Sequence, residues 1–102
     1  MNKLIIDTTD NKRTIIKLES HEKLEEISEE RVSRSQSTLV LIDKILKNNK
    51  LTSKDIDEVE VNEGPGSFTG TRVGVAIANA LGFSLGVKVN GLKGRDILPK
   101  YK

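Results

Sequence analysis

The first apolar residues of the chain lie in two short runs, 3–6 and 14–18, on either side of the polar turn sequence 7–11. Such runs around a short polar turn are typical of a β-hairpin. The next segment, 21–34, places Leu24, Ile27 and Val32 at spacings of three and five among charged residues. That spacing fits a weak helix as well as an exposed strand, so periodicity leaves both open.

Helical periodicity begins at residue 35 and predicts a first helix over Ser35–Lys47. One arc of its helical wheel carries Leu39, Leu41, Ile42, Ile45 and Leu46, and the opposite arc carries Asp43, Lys44 and Lys47. The sequence Asn48-Asn49-Lys50 ends it. Val40 falls among the charges, where a lone exposed valine is ordinary but can also belong to a contact surface.

A second helix is predicted over 73–85, between short strands at 59–61 and 87–89. It has hardly any polar side, so it has to be covered on more than one side. The order of elements gives an α/β fold with a mixed sheet.

Gly74, Ala78 and Gly82 recur every four residues of the second helix and form a ridge of small side chains. Glycine inside a helix costs about 1 kcal/mol, so close packing should offset the cost. Packing onto the domain's own sheet and a helix-to-helix contact with another chain both account for the ridge.

The amino-acid composition of the chain excludes several classes of function. The 102 residues suit one domain, and the absence of cysteine excludes disulfides and thiolate metal sites. One histidine and three aromatic residues exclude a histidine-based zinc site and a base-stacking surface as the main function. No signal peptide or membrane-spanning segment is recognisable, so we expect a cytoplasmic protein. The net charge is +2, with a basic tail at about 90–102 that could touch nucleic acid weakly.

Two segments could carry chemistry. The glycine-rich loop Gly64-Pro65-Gly66-Ser67-Phe68-Thr69-Gly70 lies between a strand and a helix, where backbone N–H groups can meet anions. It lacks the spacing of known phosphate loops, and Glu63 disfavours an anion, so a structural role with Ser67 or Thr69 as helix cap is the simpler interpretation. Asp7-Thr8-Thr9 could hold a hydrated metal or form only a hairpin turn. No nucleophile, base and oxyanion site assemble, so no catalytic residue, metal or cofactor is predicted.

The loop at 64–70 with the following Thr71-Arg72-Val73-Gly74-Val75-Ala76-Ile77-Ala78 resembles the signature of the TsaB (YeaZ) family. Ile5-Ile6-Asp7-Thr8-Thr9 resembles the first strand and turn of that family, and Ser35-Gln36 its first-helix motif. The resemblance implies one actin-like, ribonuclease-H-like lobe over 1–102, with a five-stranded mixed sheet and two main helices. The third strand would then lie near 22–28. We expect the family's second lobe to be absent, so Asp7, Thr8 and Thr9 would be at most a vestigial half of a nucleotide site.

The resemblance also implies a noncatalytic partner in making threonylcarbamoyladenosine in tRNA. TsaB-like proteins dock on a TsaD-like transferase through the two helices, here Ser35–Lys47 and Thr69–Leu85. We expect the contact to use Leu39, Val40, Arg72, Gly74, Ala78 and Gly82. Transfer RNA would be touched only indirectly, or weakly through the basic tail. Two alternatives stay open: a homodimeric remnant that pairs through the same helices, and a weak nucleotide-binding enzyme.

Overall fold

The computed structural model describes residues 1–10, 12–30, 34–94 and 96–100, with the backbone alone for residues 34–37. Its elements follow one another as β1 (Asn2–Asp7), β2 (Arg13–Ser20), β3 (Lys23–Glu30), α1 (Arg34–Asn48), β4 (Glu58–Val61), α2 (Phe68–Leu85) and β5 (Lys88–Val89). A 3₁₀ turn at Ser53–Asp55 leads into β4. The predicted α/β class is confirmed.

The five strands form one mixed sheet in the order β3-β2-β1-β4-β5. β1 pairs antiparallel with β2, and β2 pairs antiparallel with β3. β1 pairs parallel with β4, and β4 with β5. The carboxyl ends of β1 and β4 therefore meet at one edge of the sheet, beside the glycine-rich loop.

β3 is a strand, so the helical interpretation is wrong for residues 23–30 and the strand near 22–28 is confirmed, while Val32 lies outside the described residues. β3 pairs with β2 along its whole length, and this register places Ile27 opposite Ile16. Ile27 also packs against the core. Pairing with a neighbouring strand thus overrides the weak local periodicity.

The core lies between one face of the sheet and the two helices. Leu4 pairs with Val59 and Ile6 pairs with Val61, so these four side chains share that face. The buried core residues are Leu4, Ile6, Ile16, Leu18, Leu41, Ile42, Ile45, Leu46, Ile56, Val59, Val61, Val75, Ala78, Val89 and Ile97. Four of the five residues on the predicted arc of α1 are among them. Leu39, at the rim of the arc, is exposed instead.

Both helices end where their sequences predict. The Asn49 side chain donates to the Ile45 carbonyl at 2.7 Å, and Lys50 takes a left-handed conformation with φ 58°. α2 ends at Leu85 and is capped by Gly86, which has φ 68° and whose N–H donates to the Gly82 carbonyl. Glycine tolerates this conformation without a Cβ clash, as helix C-caps require.

Candidate functional site

Asp7, Thr8 and Thr9 lie at the carboxyl end of β1 and form a junction against which the glycine-rich loop packs. One Asp7 carboxylate oxygen accepts from the Thr9 N–H at 3.0 Å and the Thr9 hydroxyl at 2.7 Å. The other accepts from the Asn62 side chain at 3.2 Å. The buried Thr8 hydroxyl donates to the Gly70 carbonyl at 2.5 Å. Three donors thus occupy the Asp7 carboxylate, an arrangement that suits a turn, and a vestigial nucleotide site here stays a prediction.

The glycine-rich loop packs tightly on this junction. Ser67 N–H donates to the Thr9 carbonyl at 2.7 Å, and a side chain at Gly66 would lie 2.5 Å from Thr9 Cβ. Ser67 also caps α2, because its hydroxyl accepts from the Gly70 N–H at 3.2 Å. Of the two caps expected from the sequence, Ser67 is the one observed. These contacts give the loop a structural role.

Glu63, just before the loop, ties it to the end of the chain. Its carboxylate pairs with Lys100 Nζ at 2.9 Å and accepts from the Asn90 side chain at 3.0 Å. The Lys100 hydrogen bond, followed by that of Asn90, holds the pKa of Glu63 below its ordinary value. The same hydrogen bond raises the pKa of Lys100. One lysine of the basic tail is therefore neutralised by a partner, while Arg95 and Lys102 lie outside the described residues.

The Glu63–Lys100 pair predicts a small pH-dependent contribution to stability. A lowered folded-state pKa means that the ionised Glu63 stabilises the fold above the ordinary pKa of 4.5, and that this contribution is lost as the pH falls through the lowered value. We expect Glu63→Gln to lower the Tm slightly at neutral pH. At acidic pH, below the lowered pKa of Glu63, the Tm of the variant should equal that of the parent. Thermal unfolding from pH 2 to pH 8 measures both. Glu22→Gln removes one charge at an exposed turn as the control.

A difference that persisted undiminished in acid would show that the carboxylate charge of Glu63 is not the source of the effect. The Lys100 side chain is 68% exposed and that of Glu63 27%, so solvent screens the pair and we expect a small change in Tm.

The ridge of small residues faces the sheet. Ala78 is fully buried, and Gly74 and Gly82 are buried beside it. A Cβ at Gly74 would collide with the Thr8 hydroxyl, and one at Gly82 would collide with the Val89 side chain. The packing onto the domain's own sheet is therefore confirmed. The expectation that Gly74, Ala78 and Gly82 contact a partner is wrong for this chain, because the sheet already covers them.

The exposed side of α2 presents a different stripe. Arg72, Ala76, Ala80 and Phe83 recur every three to four residues and are exposed, Phe83 to 93%. The guanidinium of Arg72 lies 5.3 Å from the centre of the Phe68 ring. On α1, Leu39 and Val40 are exposed, Val40 to 55%. We call Leu39, Val40, Arg72, Ala76, Ala80 and Phe83 the outer helix face.

Three of the expected contact residues, Leu39, Val40 and Arg72, belong to this face. Sequence reasoning missed Ala76, Ala80 and Phe83. Their positions in the sequence do indicate a shared face, because these residues follow Arg72 at helical spacing. However, α2 is apolar nearly all round, so periodicity cannot say which side meets the sheet. The contact itself remains a prediction.

Other chemistry has little support in the described part of the chain. His21 lies exposed in the turn between β2 and β3, away from the loop. No group of three or more histidine, cysteine, aspartate or glutamate side chains among the described residues could hold a metal ion. Neither described helix combines the length and hydropathy needed to cross a membrane.

Comparison with known proteins places this geometry in a family. A family model described as TsaD, tRNA N6-adenosine threonylcarbamoyltransferase, matches residues 15–96. A relative from Buchnera aphidicola named tRNA threonylcarbamoyladenosine biosynthesis protein TsaB is 42% identical over 69 residues, which are 63% of this chain and 33% of the relative. A Haemophilus influenzae relative of the same name is 40% identical over 57 residues, 56% of this chain and 24% of the relative.

Among solved structures, YeaZ from Pseudomonas aeruginosa superposes with a TM-score of 0.82 at 22% sequence identity. The match covers 87% of this chain and 43% of that protein. The actin-like, ribonuclease-H-like fold implied by the sequence is thereby confirmed. The chain spans about a third or less of the length of these curated relatives and under half of the solved structure.

Proposed function

The chain belongs to the TsaB (YeaZ) family, matched by the TsaD family model, and from that membership we propose that it serves as a noncatalytic subunit in the threonylcarbamoyladenosine modification of tRNA. Its role is to dock on a TsaD-like transferase through the outer helix face and sustain the activity of that enzyme. The proposed setting is the cytoplasm.

The observation that carries the proposal is the outer helix face itself. Two helices from one side of the sheet expose leucine, valine and phenylalanine side chains around small alanines. Exposed apolar side chains that cluster on one face are typical of protein contact surfaces. Small residues in the middle of α2 let another helix approach its backbone closely.

A noncatalytic role agrees with the state of the Asp7 carboxylate, which three donors from Thr9 and Asn62 already occupy. A nucleotide-binding enzyme built on Asp7 and the glycine-rich loop would need that carboxylate free for a metal or phosphate contact. ATP binding by the chain at micromolar concentration would support that alternative instead.

We propose that the basic tail contacts transfer RNA only weakly. Lys100 is paired with Glu63, which reduces the charge that the described part of the tail offers to phosphate. We therefore propose that tRNA is reached mainly through the transferase.

The second candidate function is a homodimer, and the spacing of the aromatic residues favours it. Phe68 and Phe83 lie at nearly equal distances along α2 on either side of Ala76. Two copies of α2 crossing antiparallel at Ala76 would therefore place the phenylalanine of one copy near that of the other. Such self-complementary surfaces are what twofold dimers use.

The test is the molar mass in solution, measured by light scattering after size exclusion. We expect the 11.3 kDa chain mixed with the TsaD-like protein from the same genome to give a species of the summed mass, with the free forms depleted. The matched sample is the chain alone at the same concentration. A mixture in which both proteins keep their separate masses would contradict the proposal, and a chain of twice its own mass that ignores the transferase would support the homodimer.

A further inference from the structure

Residues 89–92 form a tight turn at the end of β5. The Val89 N–H donates to the Leu92 carbonyl at 2.9 Å, and the Leu92 N–H donates to the Val89 carbonyl at 3.0 Å. Both central residues have positive φ, 51° at Asn90 and 80° at Gly91. Turns with two positive φ angles favour the pair Asn-Gly, because asparagine and glycine tolerate the left-handed conformation. The turn geometry therefore accounts for this pair of residues.

The Asn90 carboxamide continues the pairing of β4 beyond the end of β5. Its Oδ1 accepts from the Val61 N–H at 2.8 Å, and its Nδ2 donates to the Val61 carbonyl at 3.0 Å. Nδ2 also donates to the Glu63 carboxylate at 3.0 Å. The side chain thus bonds to Val61 as the backbone of a neighbouring strand would, and it holds Glu63 just before the glycine-rich loop.

The same pair of residues is chemically labile. In an Asn-Gly sequence the glycine nitrogen can attack the asparagine side chain, because glycine has no side chain that hinders the approach. Of the seven asparagines in the chain, only Asn90 precedes a glycine. Gly91 is exposed, and a Cβ placed on it would meet no atom of the described chain within 4 Å. Access to the Gly91 nitrogen is therefore open.

We propose that Asn90 is a site of spontaneous deamidation, that the folded chain suppresses the reaction, and that the product weakens the attachment of β5 to β4. The Gly91 nitrogen bonds to Asn90 Cγ, the Cγ–Nδ2 bond breaks, and Nδ2 leaves as ammonia with the proton of the Gly91 nitrogen. Water then opens the cyclic imide. Hydrolysis at Cγ gives aspartate, and hydrolysis at the backbone carbonyl carbon gives isoaspartate. This inference does not depend on the docking role.

The fold opposes the reaction at the leaving atom. Nδ2 departs as ammonia only after its hydrogen bonds to the Val61 carbonyl and the Glu63 carboxylate are broken. The Asn90 N–H is itself held by the Val59 carbonyl at 3.0 Å. The reaction therefore needs a local separation of β5 from β4. Because β5 pairs through two residues at the edge of the sheet, this separation costs less free energy than global unfolding.

The product does not fit the same contacts. A carboxylate in place of the Asn90 carboxamide has no hydrogen to donate, so one oxygen would face the Val61 carbonyl and the Glu63 carboxylate where Nδ2 now bonds to both. The two carboxylates repel each other, and the Val61 carbonyl loses its donor. Lys100, which pairs with Glu63, supplies one positive charge against two negative charges. Isoaspartate in addition lengthens the backbone of the turn.

The first test follows deamidation of the full chain at mildly alkaline pH, folded in buffer and unfolded in guanidinium chloride. Peptide mass spectrometry measures conversion at each asparagine. In the unfolded chain we expect Asn90 to react fastest, with the other asparagines as internal references. In the folded chain Asn90 should react at least about tenfold more slowly. Equal rates in the two states would overturn the protection, and an unfolded chain in which Asn90 reacts no faster than the other asparagines would overturn the site.

Two variants test the contacts of Asn90 separately. Glu63→Ala removes one acceptor of Nδ2, so we expect it to speed deamidation of the folded chain several-fold and to leave the rate in guanidinium chloride unchanged. An unchanged rate in the folded variant would show that Glu63 does not protect Asn90.

Asn90→Asp imitates the aspartate product and should lower the Tm by about 4–8 °C. Asn48→Asp makes the same change at an exposed position at the end of α1 and should keep nearly the Tm of the parent. The parental Tm in Asn90→Asp would show that the fold accommodates the carboxylate, and the proposed weakening of β5 would be wrong.

Discussion

Replacing Ala78 with phenylalanine is expected to unfold the domain or to lower its Tm by roughly 10–20 °C, since overpacking a core costs about 1–3 kcal/mol or more. Ala78 has no exposed surface, and α2 lies so close to the sheet that Gly74 and Gly82 on the same ridge have no room for a Cβ. A phenyl ring there would have to push the helix off the strands. Thermal unfolding followed by circular dichroism measures the effect.

Ala76→Phe is the matched control, because it makes the same change two residues earlier on the exposed side of α2. We expect this variant to keep the helical signal and nearly the Tm of the parent. Should Ala78→Phe fold with the parental Tm and lose only association with a partner, then the ridge would face another chain and the packing described here would be wrong.

The small-residue ridge shows how far sequence reasoning reaches. Its four-residue spacing predicts that a neighbouring element packs closely against α2, and that is correct, because the Thr8 and Val89 side chains leave no room for a Cβ at Gly74 and Gly82. The spacing carries no information on which element that is, because a sheet of the same domain and a helix of a partner both accept small residues. The contacts of Thr8 with Gly74 and of Val89 with Gly82 supply that answer.

β3 shows a second limit of predicting structure from the sequence alone. Its sequence has neither clean alternation nor clean helical spacing, because an edge strand rich in glutamate has little to bury. Pairing with β2 decides its structure, and such long-range pairing is invisible to a local window. The resemblance to a family predicted this strand correctly, because members of one family share the pairing of their strands.

The hairpin, both helices and their carboxyl ends follow from local rules, and each is present, although α2 begins at Phe68 and not at the predicted Val73. Local rules also gave Ser67 as one of two possible caps. The placement of residues 96–100 does not follow from them. The contacts of these residues join Asn79 to Ile97 across 18 residues, and the chain around Ile97 has no regular pattern that would announce a buried position. The contacts of this segment with Asn79 and Glu63 could therefore be found only in the folded chain.

A glutamate in place of Ala76 is expected to weaken association with the TsaD-like protein by about 100-fold or more, because an unpaired charge inside an apolar contact is costly to desolvate. Ala76 lies in the middle of the exposed stripe of α2, between Arg72 and Ala80. The change leaves the core untouched, and glutamate is a good helix former, so the Tm of the free chain should stay close to that of the parent. Affinity is measured by titration calorimetry and the fold by circular dichroism.

Ser53→Glu adds the same charge at an exposed position in the first turn of the 3₁₀ segment, outside both helices, and should bind like the parent. The pair of variants also separates the two candidate partners. If the homodimer is the functional form, Ala76→Glu converts it to a monomer with no effect on any transferase, because the twofold axis would pass beside Ala76 and bring two glutamates together. Unchanged mass and unchanged affinity in Ala76→Glu would instead show that the outer helix face binds neither partner.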